Sequence, residues 1–231
     1  MLEKILSWER DLFLWFNGWH WPLLDDAIWL YSNWLVWLPF LLILFVLLIY
    51  RQPVKKWLPV VAAVIFLIAI CIITSDVLLK PYFARLRPTY HPDFMNDVKY
   101  LFGYKGEGIY GFVSGHATFS FAFATFTALL FRYRFYTVTI FTWAMLMVYS
   151  RIYLGVHFLT DIFAGSVVGT AIGLGVYSLF RFVVFRYIYR GDKNIYLSFY
   201  SKQRKKLITM IQICYPLLLI LFSEPIARMI R

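Results

Sequence analysis

The chain has 231 residues, 61% hydrophobic and 15% charged, with a formal net charge of +11. Its mean hydropathy is +0.68, and Phe, Trp and Tyr supply 21% of its residues. A soluble domain is nearer half apolar and a quarter charged, so disorder, a collagen-like repeat and a disulfide-stapled secreted domain are excluded. A soluble enzyme is all but excluded, because a chain of this length cannot hide that much apolar surface.

In chain order, residues 2–16 set Leu2, Ile5, Leu6, Phe13 and Phe16 against Glu3, Lys4, Glu9, Arg10 and Asp11. This predicts an N-terminal amphipathic helix lying in a membrane interface. It lacks the basic start and unbroken apolar core of a cleavable signal peptide. Trp19, Trp21, Trp29, Trp34 and Trp37 follow like an interfacial aromatic belt, so residues 1–33 read as interfacial. Windows 27–50, 57–75, 108–131, 135–150, 162–180 and 207–223 then carry no Asp, Glu, Lys or Arg. A span takes about 20 mostly apolar residues. The expectation is an all-α, polytopic transmembrane helical bundle, forming one membrane-embedded domain over 1–231. About six spans are predicted, near 34–50, 57–79, 116–132, 135–152, 158–182 and 207–223. Cys71 and Cys214 lie in apolar runs without a partner at ligand spacing and read as small buried hydrophobes.

Charge sets the orientation. Connections 51–56, 131–134 and 181–206 fall on one side and hold 13 of the 23 Lys and Arg residues, among them Arg190 and Lys193, with Asp192 the only acid. The positive-inside rule places that side in the cytoplasm, making the basic excess a topology signal. A nucleic-acid partner would need a basic soluble face, and none is visible. The outward side owns the 80–115 connection and the turn near 153–157. There is no Asn-x-Ser/Thr sequon, so glycosylation hints at no eukaryotic lumen.

Ionisable residues near a membrane are costly and tend to mark function. Three groups collect on the outward side: Lys80 to Pro88, then Ser114-Gly115-His116, then Ser150-Arg151 with His157 and Asp161. His157 and Asp161 are four apart on a predicted helix and so share a face. Asp161 can take the Nδ1 proton and leave Nε2 free as a nucleophile or base. The plainer reading is a polar pair tying two helices together. Ser114 reads as an N-cap, Gly115 permits close approach, and the helix start then offers free N–H groups to an anion. His116 on its first turn can act as a proton donor, against the plainer reading of an ordinary cap with an incidental His. Lys80, Arg87 and Arg151 are cations suited to phosphate. Arg85 is expected to snorkel.

These segments resemble the signature of the type 2 phosphatidic acid phosphatase superfamily: Lys-x6-Arg-Pro, then Pro-Ser-Gly-His, then Ser-Arg-x5-His-x3-Asp. The chain reads Lys80-x6-Arg87-Pro88, Val113-Ser114-Gly115-His116 and Ser150-Arg151-x5-His157-x3-Asp161, with Val113 for Pro the one departure. The resemblance implies that His157 attacks phosphorus and forms a phosphohistidine, that Asp161 orients it, and that His116 protonates the leaving group. It implies that Lys80, Arg87, Ser114, Gly115 and Arg151 hold the phosphate, and that no metal or cofactor takes part. The implied activity is hydrolysis of a lipid phosphate or diphosphate on the periplasmic face of a bacterial inner membrane. Undecaprenyl diphosphate or a lipid A phosphate leads; phosphatidylglycerol phosphate, phosphatidic acid or a phosphotransferase reaction is the alternative. The expected partners are that substrate and membrane lipids, with monomer and homodimer both open. An anion transporter is disfavoured, because its groups would gather near the midplane within paired repeats.

Weaker signals complete the reading. Gly165, Gly169 and Gly173 form a small-residue stripe that suits a helix seam within the monomer or a dimer contact. Pro39 and Pro216 are candidate kinks. The 89–112 stretch is expected to be a mobile loop with a short helix that selects headgroups or gates the site. Asp76 either pairs with a basic residue or caps the interface.

Overall fold

The structure, a computed structural model, describes residues 3–189 and 200–230; Leu2, Arg190, Asp192 and Lys193 lie outside them. Helix α1 (Glu3–Gly18) is followed by α2 (Pro22–Ser32), whose proline sits in the first turn, where its missing N–H costs nothing. Asn33 ends α2, and its side chain accepts the Leu35 N–H at 3.0 Å. That opens a 3-10 turn, Trp34–Trp37, which continues into α3 (Leu38–Ile49). The chain bends by 78° there. Next come α4 (Val54–Phe83), α5 (Gly115–Phe131), α6 (Arg134–Tyr153) and α7 (Leu159–Ile188). Helix α8 (Lys202–Leu221) bends by 75° into α9 (Ser223–Ile230). Among the described residues there is no strand, only an isolated antiparallel bridge between Leu86 and Tyr110.

The protein is an all-helical membrane protein. Among the described residues, α4 and α7, 30 residues each, are long and apolar enough to cross a bilayer, and counting each bent pair as one span raises the candidates to four. The six predicted windows do not all become full-length apolar helices. The 34–50 window opens on the 3-10 turn and its helix ends at Ile49, while α5 has 17 residues. Pro39 falls in the first turn of α3, and the bends come at Asn33 and Phe222 rather than at either proline. Helix α4 shifts to π geometry over Ile73–Leu79, next to the site, a common place for such bulges.

Helix α5 lies at the centre, and its seam with α7 is backbone against backbone. A Cβ on Gly169 would stand 2.2 Å from the Thr118 carbonyl oxygen; on Gly165 and Gly173 it would stand 2.8 and 2.6 Å from the Ser114 and Ala122 carbonyl oxygens. The small-residue stripe is therefore an internal seam. Small side chains on α5, including Ala117, Thr118, Ala122 and Thr125, are buried along it. Lipid-facing residues such as Leu42, Ile65 and Phe163 stand exposed on the outside.

Helix α1 folds against α6 and α7 at the end of the bundle that holds the 89–112 connection. Phe13 is fully buried, edge-on to Phe158 (5.3 Å) and Phe94 (6.4 Å). Buried Asn17 donates to the carbonyls of Lys99, Ile152 and Tyr153 and accepts the Lys99 N–H. These bonds pin the 89–112 connection, which was expected to be loose. It holds a 3-10 turn at Pro88–Tyr90, and Phe94 and Val98 pack in the outer core.

Candidate active site

The 84–114 connection after α4 is folded back on itself. Arg87 N–H donates to the Ile109 carbonyl (3.0 Å), and Gly111 N–H to the Arg85 carbonyl (2.8 Å). Arg85 and Arg87, two apart on this extended segment, thus project to the same side. Both point at the turn that enters α7. There Leu154, Val156 and Phe158 are fully buried, and Gly155 turns the chain with φ +70. His157 lies in this turn, not on the helix as expected, while Asp161 lies in the first turn of α7.

Their geometry sets the imidazole's state. Arg87 Nη1 donates to His157 Nε2 at 2.9 Å and to the Val156 carbonyl at 3.0 Å. A guanidinium has no acceptor, so Nε2 carries a lone pair and the ring proton sits on Nδ1. Nδ1 faces Asp161 Oδ2 at 3.5 Å, longer than a full hydrogen bond. Burial pushes the His157 pKa well below the usual imidazole value, and the neighbouring Arg87, Arg151 and Lys80 push it further the same way. The ring is therefore neutral at pH 7, as a nucleophile must be.

Asp161 is fully buried and fully engaged. Its Oδ2 accepts the Phe158 N–H at 3.0 Å, and its Oδ1 accepts from Arg85 Nη1 at 2.6 Å. Arg85 does not snorkel. It stacks its guanidinium over Phe158 and also binds Glu9 of α1 at 2.8 Å. Glu9 in turn accepts the Thr160 N–H at 2.6 Å and the Thr160 hydroxyl at 2.9 Å. A buried carboxylate–guanidinium–carboxylate chain thus runs from the N-terminal helix to the residue behind His157. Sequence reasoning missed Glu9, Arg85 and Thr160 in this role. A single Glu on an amphipathic helix carries no signal that its partner lies 76 residues away.

The other groups approach from the opposite direction. Ser114 caps α5, accepting the Ala117 N–H at 3.4 Å, and its own N–H donates to the Asp161 carbonyl at 3.1 Å. Its side chain is fully buried, so the hydroxyl serves the helix cap rather than facing the cavity. Gly115 stands against Ser75 and Asp76, where a Cβ would meet their side-chain oxygens at 3.4 and 3.6 Å. Asp76 pairs with Lys80 one turn along α4. His116 follows in the first turn of α5. Arg151 binds the Ser32 hydroxyl and, at 2.9 Å, the Tyr104 hydroxyl.

Lys80, Arg87, Gly115, His116, Arg151 and His157 line one cavity of about 540 Å³. Of the eight residues singled out in the sequence, only Ser114 and Asp161 lie behind its wall. Three cations and a helix start face the space between two imidazoles, an arrangement suited to a tetrahedral oxyanion. Among the described residues no cluster of His, Cys, Asp and Glu is arranged to hold a metal ion.

Comparison with known proteins gives one family. The PAP2 superfamily model matches residues 56–185. A relative named lipid A 4'-phosphatase from Porphyromonas gingivalis is 44% identical over 187 residues, 81% of this chain and 79% of the relative. A second of that name, from Bacteroides thetaiotaomicron, is 31% identical over 169 residues, 73% of this chain and 75% of the relative. The crystal structure of Aquifex aeolicus LpxE superposes with a TM-score of 0.55 at 28% identity, covering 73% of this chain and 93% of that one.

Proposed function

Since the chain belongs to the PAP2 superfamily, we propose that it is an integral-membrane phosphatase that removes a phosphate monoester from lipid A through a phosphohistidine. The observation that carries the mechanism is the Arg87 hydrogen bond to His157 Nε2, which marks that nitrogen as the lone-pair atom. The substrate follows from the two relatives named lipid A 4'-phosphatase; undecaprenyl diphosphate, an equal candidate on sequence, has no such support. The six-span topology, with this site on the periplasmic face of the inner membrane, remains part of the reading and rests on the distribution of Lys and Arg.

The steps follow from the groups present. The phosphate enters between Lys80, Arg87, Arg151 and the N–H groups at the start of α5, and Arg87 turns from the ring to a phosphate oxygen. His157 Nε2 attacks phosphorus in line, and the bond from phosphorus to the lipid oxygen breaks. Protonated His116 gives its proton to that oxygen. Neutral His116 then takes a proton from water, the water oxygen attacks the phosphohistidine, and inorganic phosphate leaves with His157 Nε2 free again. Through both steps Asp161 balances the charge on the ring, and the three cations stabilise the equatorial oxygens. Those cations supply the positive charge that a metal ion supplies in other phosphatases.

The test is phosphate release from purified lipid A in detergent micelles. His157→Ala should remove turnover while the thermal unfolding midpoint in detergent stays near that of the parent, and excess chelator should leave parent activity unchanged. Parent-like turnover in His157→Ala, or activity lost to chelator and restored by a divalent ion, defeats the mechanism.

A further inference from the structure

The cavity does not end at the phosphate site. Below His116 and Arg151 it continues into the bundle between α3, α4, α5, α6 and α8, lined by Leu41, Ile68, Phe119, Phe123, Ile140 and Met147. Leu41 and Ile68 are also exposed on the outer surface, so the α3–α4 wall gives onto the lipid side. On the reading above, this is where a chain of the lipid substrate would lie.

Two polar side chains interrupt this apolar stretch. Gln212 of α8 lines the cavity and is 4% exposed, and its Nε2 has no hydrogen-bond partner among the described residues. Trp143 of α6 also lines the cavity, and its Nε1 is buried without a partner. The two belong to one place. The far side of the Gln212 amide meets the Thr139 hydroxyl at 3.4 Å, and Thr139 stands one turn before Trp143 on α6. The one Thr139 proton is shared between Gln212 Oε1 and the Tyr136 carbonyl, which lies at 3.0 Å. Orphaned donors in an apolar interior are costly, and here two neighbouring helices each bring one to the same stretch of cavity. Nor do they only bind helix to helix. The Thr139 contact does that, and it leaves both orphaned N–H groups unused.

We infer that Trp143 and Gln212 form a recognition site for an oxygen carried partway along the lipid chain, a hydroxyl or an ester carbonyl. Both donors need an acceptor, and either oxygen can take both protons. The site has a fixed depth. Trp143 precedes Arg151 by two turns of α6 with Met147 between them, which places it about 12 Å below the phosphate end along that helix. The pair therefore reads both the presence of an oxygen and its distance from the phosphate. A chain without the oxygen leaves both donors desolvated and unpaired, the situation in which polar sites discriminate best.

The inference rests on the lipid-phosphatase reading, so its test separates the two. The probes are monoalkyl phosphates of constant chain length in detergent micelles: unsubstituted, with one hydroxyl stepped along the chain, or with an acyloxy group stepped likewise. Phosphate release gives kcat/KM for each. Wild-type protein should favour one position over the unsubstituted lipid by about tenfold, the worth of one to two buried hydrogen bonds. The preferred series identifies the oxygen as hydroxyl or ester. In Gln212→Leu and Trp143→Phe that ratio should fall towards one. A flat wild-type profile, or a preference that survives both substitutions, overturns the inference and leaves the phosphatase reading standing. No release from any of the lipids, with lipid A itself also untouched, removes the phosphatase reading instead. The wild-type profile stands alone if a variant fails to fold.

Discussion

On the α5–α7 side of the cavity the backbones touch. Gly169 leaves no room for a Cβ beside Thr118, and behind His157 every oxygen of Asp161 and Glu9 has a partner. On the α3–α4 side Leu41, Ile68 and Ile72 line the same cavity yet stand exposed to the outside. The two helices are linked there by a short turn at 50–53. One wall holds the reacting atoms and cannot give; the other faces lipid and can. Catalysis by positioning needs a rigid wall, and a lipid substrate that arrives sideways needs an open one.

Substitutions should separate the walls. The largest effect is expected for Gly169→Leu, which forces a side chain into the Thr118 carbonyl and should abolish recovery of folded protein from detergent extracts. Ile65→Ala on the exposed face of α4 should be close to neutral; equal damage at both sites would mean the seam is not special. Arg85→Ala comes next. It strands two buried carboxylates, which costs about 3–5 kcal/mol. It should also lower kcat about 100-fold through misplaced His157, with KM little changed. A loss confined to stability would make the Glu9–Arg85 chain a brace only.

The pH response tests the same wall more gently. The unfolded chain takes up a proton on His157 near the ordinary imidazole value of about 6.5. The folded chain resists until lower pH, because the ring is buried among cations. Between those points the unfolded state binds more protons. Stability should therefore be level above about pH 6.5 and fall as the pH drops below it. Urea titrations of parent and His157→Gln should differ in slope only in that acidic window; parallel curves would put the ring in a more open setting. Among the site residues Ser114→Ala should have the smallest effect, about 1 kcal/mol or less, because it removes one long cap bond and no group that faces the cavity. A large loss of activity there would return Ser114 to the phosphate site.

Much of the site was legible because its chemistry is local. Lys80, Arg87, His116, Arg151 and His157 sit in short runs whose spacing announces them, and they do meet in one cavity. The helix start at Ser114 was readable for the same reason, since a cap is a contact between near neighbours. Placing His157 on the helix was wrong by two residues, because the Asp161 side chain caps the Phe158 N–H and starts α7 there. Arg85 looked like a snorkelling residue, because nothing in its neighbourhood names Glu9 as a partner.

The linear sequence by itself determined that this chain is an all-helical membrane protein whose candidate site residues fall in three short runs. Charge-free runs, and the order of Lys, Arg, His and Asp along the chain, are one-dimensional facts. Only the tertiary structure decided how many of those runs become unbroken helices, that the glycine stripe is an inner seam, and that Glu9 reaches Asp161 through Arg85. It alone brought Trp143 and Gln212 to one depth of the cavity. Each of these depends on where two distant segments come to rest against each other, and that is set by the packing of whole helices rather than by any run of residues.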